Sequence, residues 1–368
     1  MIKCMKRGEV NLKINCTIRI LAIILALVVV GVFLGVLGYN PIDVFKYIIK
    51  GSFGSPNRIR QTIIIAIPLL ITGLGISVAF KMQFWNIGAE GQIFMGAFGA
   101  ALFALKFPNL PMPIMLLLMV VSGCFFGGLW ALISGILRVY FNTNETITTL
   151  MLNYVALKII TYLQYDAWKD KNALGFPKIA NFPDNAVFPS LFGVHIGWII
   201  ALILVVIFYL FMKYSKMGYE VSVLGESENT AKYAGINIRK TMLKAVFISG
   251  AVCGLTGVMQ ASAVSNTLSI EVTGGMGYTA IIVAWLSNLN APITLIVAVL
   301  FAALLEGGAY IQTAFGIPNA AASVMQALIL FFVLGSEFFV RYKVVLDNKK
   351  SKDDLVLENK NANKDEVI

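Results

Sequence analysis

Residues 61–80 read QTIIIAIPLLITGLGISVAF, an uncharged stretch closed by Arg60 in front and Lys81 behind. A helix crosses the hydrocarbon core of a bilayer with about 20 predominantly apolar residues. This stretch is therefore read as a membrane span, with Pro68 as its expected kink. The same reading extends along the chain. Charge-free or charge-poor apolar runs fill 20–42, 86–107, 114–137, 146–165 (with Lys158 inside), 197–212, 245–270 and 319–340. Residues 272–305 also lack charge, but they are too few for two crossings of about 20 residues each. Asn288, Asn290 and Pro292 interrupt this run, and Gly274-Gly275-Met276-Gly277 is its natural break. One of the two spans here is expected to be short, broken or re-entrant.

Composition supports the same class. Of the 368 residues 58% are apolar and 13% charged, with mean hydropathy +0.80. A soluble domain carries about 45–50% apolar and about 25% charged residues. A soluble enzyme and a disordered chain are both excluded on these figures. The expectation is an all-α polytopic membrane protein with about ten transmembrane helices. The net charge of +10 is not gathered into one patch, so no nucleic-acid partner is expected. Basic residues concentrate at the two chain ends and between Lys213 and Lys244, which by the positive-inside rule puts both termini in the cytoplasm. The expected organisation is a basic N-tail (1–18), a transmembrane region (19–342) with an extracellular loop at 166–196 and a cytoplasmic loop at 213–244, and a disordered tail (343–368).

Cys4, Cys16, Cys124 and Cys253 form no C-x-x-C pair and are read as free. His195 is the single histidine, so no His-based metal site or catalytic triad is available. There is no G-x-x-x-x-G-K-[ST], and hence no P-loop for ATP. No bound cofactor is expected.

Three segments carry polar residues into apolar surroundings. In the first, 84–92, Asn86 is expected to cap a helix, with Glu90 one turn in and Gln92 following. Such polar groups must face protein or water, either tying helix ends together or lining a passage. The second runs from Asn144 to Tyr154, where Asn144 or Thr143 opens a helix and Asn153 and Tyr154 lie deeper. They either bond a polar solute or bridge to a neighbouring helix. In the third, 218–240, Ser227 is a cap and Gly235 a helix stop around a two-turn helix. So short a helix is either a solvated turn between spans or a plug docked to another protein, with Ala231, Tyr233, Ala234 and Ile236 as its apolar contact. A weak echo links Ser122-Gly123-x3-Gly127 with Ser249-Gly250-x3-Gly254, a spacing suited to close helix packing or left by a duplication. Three Phe-Pro pairs, at 176–177, 182–183 and 188–189, stiffen the extracellular loop.

These motifs carry a resemblance. Trp85 through Gln92 resembles the F-N-I-G-A-E-G-Q signature of permease subunits in nucleoside and simple-sugar ABC importers, relatives of the ribose and branched-chain amino acid permeases. Asn144-Glu145 through Asn153-Tyr154 is similar to that family's N-E-x-I-x-T-x-M-L-N-Y stretch. Gly225, Glu226, Ala231, Tyr233, Ala234, Gly235 and Ile236 match its coupling segment. The likeness covers about residues 58–340. It departs at Trp85 for Phe, at Ser227 for Asn, and at Glu306, a carboxylate in an apolar span.

The resemblance implies a non-enzymatic pore subunit of a bacterial cell membrane. It would pair with a second permease subunit, identical or homologous, be driven by a cytoplasmic ATPase that hydrolyses ATP, and be fed by an extracellular substrate-binding lipoprotein. Substrate-pathway candidates are Asn86, Glu90, Gln92, Asn153, Tyr154 and Glu306. Two alternatives stay open. One is a gradient-driven secondary transporter using Glu90 or Glu306 as an ion site, and the other is a permease for branched-chain amino acids.

Overall fold

The computed structural model describes residues 2–6, 12–170, 173 and 175–346. They fall into two units, one built from the chain ends (up to Ile42 and from Ser323) and one spanning Asp43–Ala322.

In the first unit, α1 (Leu12–Val36) buries Ala26, Val30 and Leu34, one residue per turn along a single face. Its other faces expose Ile20, Leu21, Ile24 and Val28, as a lipid-facing helix requires. Leu21, Ala22 and Leu25 line an apolar groove with Phe331, Phe332 and Phe339 of α13 (Asn319–Arg341). Strands β1 (Ile2–Lys6) and β4 (Tyr342–Leu346) pair antiparallel, Ile2 opposite Leu346. Residues 343–346, expected in the disordered tail, instead belong to this paired strand, where Val344 and Val345 are favoured residues. The remainder of that tail, 347–368, lies outside the described residues.

In the second unit, α2 (Pro41–Phe53) and α3 (Pro56–Lys81) are followed by α4 (Ala89–Lys106), α5 (Met112–Phe141) and α6 (Glu145–Tyr162). A π-helical turn, Leu163–Ala167, extends α6. The hairpin of β2 (Ser190–Leu191) and β3 (Val194–His195) turns on Phe192 and Gly193, both at positive φ. Then come α7 (Gly197–Tyr214), α8 (Lys216–Glu226), α9 (Glu228–Tyr233), α10 (Ile238–Met259), α11 (Met276–Leu286) and α12 (Ala291–Phe315). Residues 43–60, between the first two apolar runs of the sequence, mostly form α2 and the start of α3.

The two echoing small-residue motifs meet. A Cβ on Gly127 of α5 would lie 2.5 Å from the Gly250 carbonyl oxygen and 2.6 Å from Gly254 Cα, both on α10. Gly96 of α4 abuts Gly254 just as closely. Bare backbone lets α4, α5 and α10 approach to van der Waals contact, which compensates for the missing hydrophobic drive in lipid. The Phe-Pro loop packs over this core, with Phe182 and Phe188 buried beside Ala104, Met115 and Ile160.

Among the described residues seven helices are long and apolar enough to cross a membrane, or eight counting Ile20–Val36 with Pro41–Phe53. The expected count of about ten is not reached on that measure. Helix α4 opens on Glu90 and Gln92 and closes on Lys106, which lowers its hydropathy. Helix α11 has 11 residues, about half the length of a crossing. It starts directly after Gly274 and Gly275, both left-handed, at the break the sequence indicated.

Candidate functional site

The polar residues of 84–92 and 144–154 form one network. Helix α4 begins at Ala89 with Gly88 as N-cap, so Asn86 is not the cap residue itself. Its Oδ1 instead accepts from Gly88 N (3.0 Å) and Gln92 Nε2 (2.9 Å), while its Nδ2 donates to Gln92 Oε1 and Ser249 Oγ, each at 3.2 Å. The two amides thus satisfy one another and reach α10. Helix α6 is capped by Asn144, whose side chain accepts from Thr146 N and Ile147 N. Two turns on, Asn153 Oδ1 accepts from Gly91 N (2.8 Å), and its Nδ2 donates to Ile87 O (2.9 Å) and Tyr278 Oη (3.3 Å). Thr149 Oγ1 accepts from Ile87 N (3.2 Å).

Glu90 closes the network. Its Oε1 accepts from Gly275 N (3.1 Å) and its Oε2 from Gly277 N (2.7 Å), at the start of α11. The carboxylate lies on the positive end of that helix and fills donors that the helix cannot satisfy itself. Asn86, Glu90, Gln92 and Asn153 are buried within this network, whereas Tyr154 is 57% exposed. Gly274 and Gly275 leave open space where side chains would stand, and Tyr278 N donates to Gly275 O (3.2 Å). Tyr278 and Trp285, seven residues apart, share a face of α11, and Trp285 stacks on Trp85 with ring centroids 5.2 Å apart.

Glu306 lies elsewhere. It pairs with Arg58 Nη1 at 3.1 Å, linking α12 to the first turn of α3. The Arg58 guanidinium also lies 4.3 Å from the Tyr310 ring centroid, and Tyr310 stacks on Tyr47 of α2.

Sequence reasoning missed Gly277, Tyr278, Thr149 and Ser249. The glycine run was legible as a break, but nothing in the sequence tied it to Glu90.

The third segment forms a knob. Ser215 caps α8 by accepting from Gly218 N, Ser227 caps α9 by accepting from Thr230 N, and Gly235 ends α9 at φ 73°. A Cβ on Gly225 would collide with the Lys81 carbonyl, and Gln83 Nε2 donates to Gly225 O, so α8 is pinned against the end of α3. Ala231 is fully buried, contrary to its expected place in a partner contact, and Tyr233 is 94% exposed. Residues two apart on a helix point to opposite sides. Glu226, Ala234 and Gly235 are exposed, and Ile236 is half-buried. Among the described residues no cluster of three or more His, Cys, Asp or Glu side chains is placed to hold a metal.

The family model described as "Branched-chain amino acid transport system / permease component" matches residues 58–334. The chain belongs to that family. The permease is 32% identical over 338 residues to the glucose ABC transporter permease protein TsgB13 of Haloferax volcanii, covering 88% of each chain. It is 32% identical to the nucleoside ABC transporter permease protein NupB of Lactococcus lactis, over 87% of this chain and 92% of that one. With the guanosine ABC transporter permease protein NupP of Bacillus subtilis it shares 29% identity, over 88% and 94%. The permease is a non-enzymatic, multi-pass membrane component of an ABC importer, a class that works with an ATPase and a binding protein. This sets aside the gradient-driven alternative.

Proposed function

We propose that the permease imports nucleosides or related simple sugars across a cell membrane. Two such subunits form the pore, and the chain ends and the α8–α9 knob face the cytoplasm. ATP closure of the partner ATPase is transmitted through Tyr233, Ala234 and Gly235. Solute passes along the face formed by Tyr154, Tyr278 and the open backbone at Gly274–Gly275, because irregular backbone at membrane depth is tolerated beside protein or water, not lipid. Aromatic rings there favour flat bases and sugar faces through weak contacts that still permit release. Asn86, Glu90, Gln92 and Asn153 hold that face in shape from behind. Relatives with nucleoside, guanosine and glucose in their names support the solute class.

The observation that carries the coupling assignment is Tyr233, 94% exposed on a two-turn helix whose base is pinned through Gly225. Tyr233→Asp is expected to leave the ATPase hydrolysing while uptake falls at least tenfold. Wild-type uptake in this variant would overturn the assignment. Competition of labelled nucleoside uptake by unlabelled nucleosides, glucose, pentoses and leucine tests the solute, and displacement by leucine alone would move it to the branched-chain amino acids.

A further inference from the structure

A cavity of about 220 Å³ opens between the ends of α3 and α7, α8 and the α11–α12 turn. It sits apart from the polar network and from the Tyr233 face of the knob. Two lysines line it, Lys81 from the last turn of α3 and Lys213 from the last turn of α7. No aspartate or glutamate is among its lining residues, and neither lysine has an ion-pair partner among the described residues. Lys213 Nζ is held in place, donating to Tyr209 Oη at 3.2 Å and lying over the rings of Tyr209 and Tyr214. Asn288 and Asn290 add amides at the turn, where Asn288 and Leu289 are consecutively left-handed. A branched apolar residue such as Leu289 rarely adopts that backbone.

The rest of the wall is apolar. Val78, Phe208 and Met212 lie on the same two helices, within about one turn of the lysines. Helix α7 then continues as an exposed apolar surface through Leu210, Ile207, Val206 and Ile203. Two uncompensated cations and amide donors thus sit directly on top of a lipid-facing stripe. A soluble anion would use only the cations. A molecule with an anionic head and an apolar tail uses both.

We propose that this cavity binds the headgroup of an anionic phospholipid from the leaflet at this end of the bundle, with its acyl chains lying along α7. Basic pockets between spanning helices recognise such headgroups, and each nearby lysine adds appreciably to attraction for an anionic lipid. The site couples the α3 and α7 ends to the base of α8, so its occupancy would stabilise the platform that carries the knob.

The test uses full-length permease in a neutral detergent, read by its thermal unfolding midpoint and by lipid titration. Phosphatidylglycerol is expected to raise the midpoint, while phosphatidylcholine and inorganic phosphate leave it unchanged. Lys81→Gln with Lys213→Gln is expected to weaken the phosphatidylglycerol response about 30-fold, and Lys240→Gln, at the same end but outside the cavity, to preserve it. Should the double variant fail to fold, Ser222→Asp places a carboxylate in the cavity wall and is expected to abolish the response. An unchanged response in the double variant or in Ser222→Asp overturns the site. An equal rise with inorganic phosphate overturns the lipid.

Discussion

Glu90 and Glu306 are both buried carboxylates in apolar helices of one chain, and the molecule satisfies them in opposite ways. Glu90 accepts from two backbone N–H groups at the start of α11, and no described residue forms an ion pair with it. Glu306 meets the guanidinium of Arg58, whose side chain is 39% exposed. At Glu90 the carboxylate caps the start of α11. At Glu306 it is one half of a partly solvated ion pair that ties α12 to α3. In the sequence the two look alike, and their neighbours in space make the difference.

The comparison can be broken most directly at Glu90. Glu90→Leu leaves the buried Gly277 N–H and the part-buried Gly275 N–H unfilled, and a buried donor left without a partner costs about 1–3 kcal/mol. The expected outcome is a large fall in the thermal midpoint and loss of uptake, with Glu90→Gln intermediate. Gly277→Ala attacks the same contact from the other side, since a Cβ there would lie 2.5 Å from Glu90 Oε2. Overpacking of about 1–3 kcal/mol is expected, visible as a lower midpoint. Glu306→Leu is expected to cost only about 1 kcal/mol, because solvent already screens Arg58. Adding Arg58→Leu is expected to lower the midpoint little further. Equal losses from Glu90→Leu and Glu306→Leu would erase the distinction.

The smallest effect is expected at His195. This side chain is buried, and neither ring nitrogen has a hydrogen-bond partner among the described residues. Burial lowers its pKa below the ordinary 6.5. Above that value the ring is neutral folded or unfolded and contributes no pH dependence. As pH falls through it, the unfolded chain takes up the proton first and stability drops. Wild type is thus expected to lose slightly more stability than His195→Leu between about pH 7.5 and about pH 5.5. A flat difference between the two curves would show that burial does not suppress this proton.

Features fixed by local chemistry were legible in the sequence. Asn144, Ser227 and Gly235 cap or stop their helices as their residue types require, and Gly274-Gly275 marks where α11 begins. The spacing of charges marked the helices long and apolar enough to cross, though seven or eight of them rather than the expected ten or so. Tertiary context hid the rest. Helix α2 hid among basic residues, although Asp43 at its start and Lys50 at its end are helix signals. Asn86 looked like a cap, but its amide is engaged with Gln92 and Ser249. Ala231 was grouped with Tyr233 although helical geometry sets them on opposite sides. The identification of Glu90 with Gly275 and Gly277 required folding, because 185 and 187 residues separate the partners.

The glycine seam between α5 and α10 has a mechanical corollary. Where two backbones touch without intervening side chains, no layer remains that can shear, so the pair acts as a keel. In the proposed import cycle, tilting that admits cargo from one side and then the other would be borne by limbs hung from that keel. The length of α11 and its open glycine joint make it the limb with the least to lift.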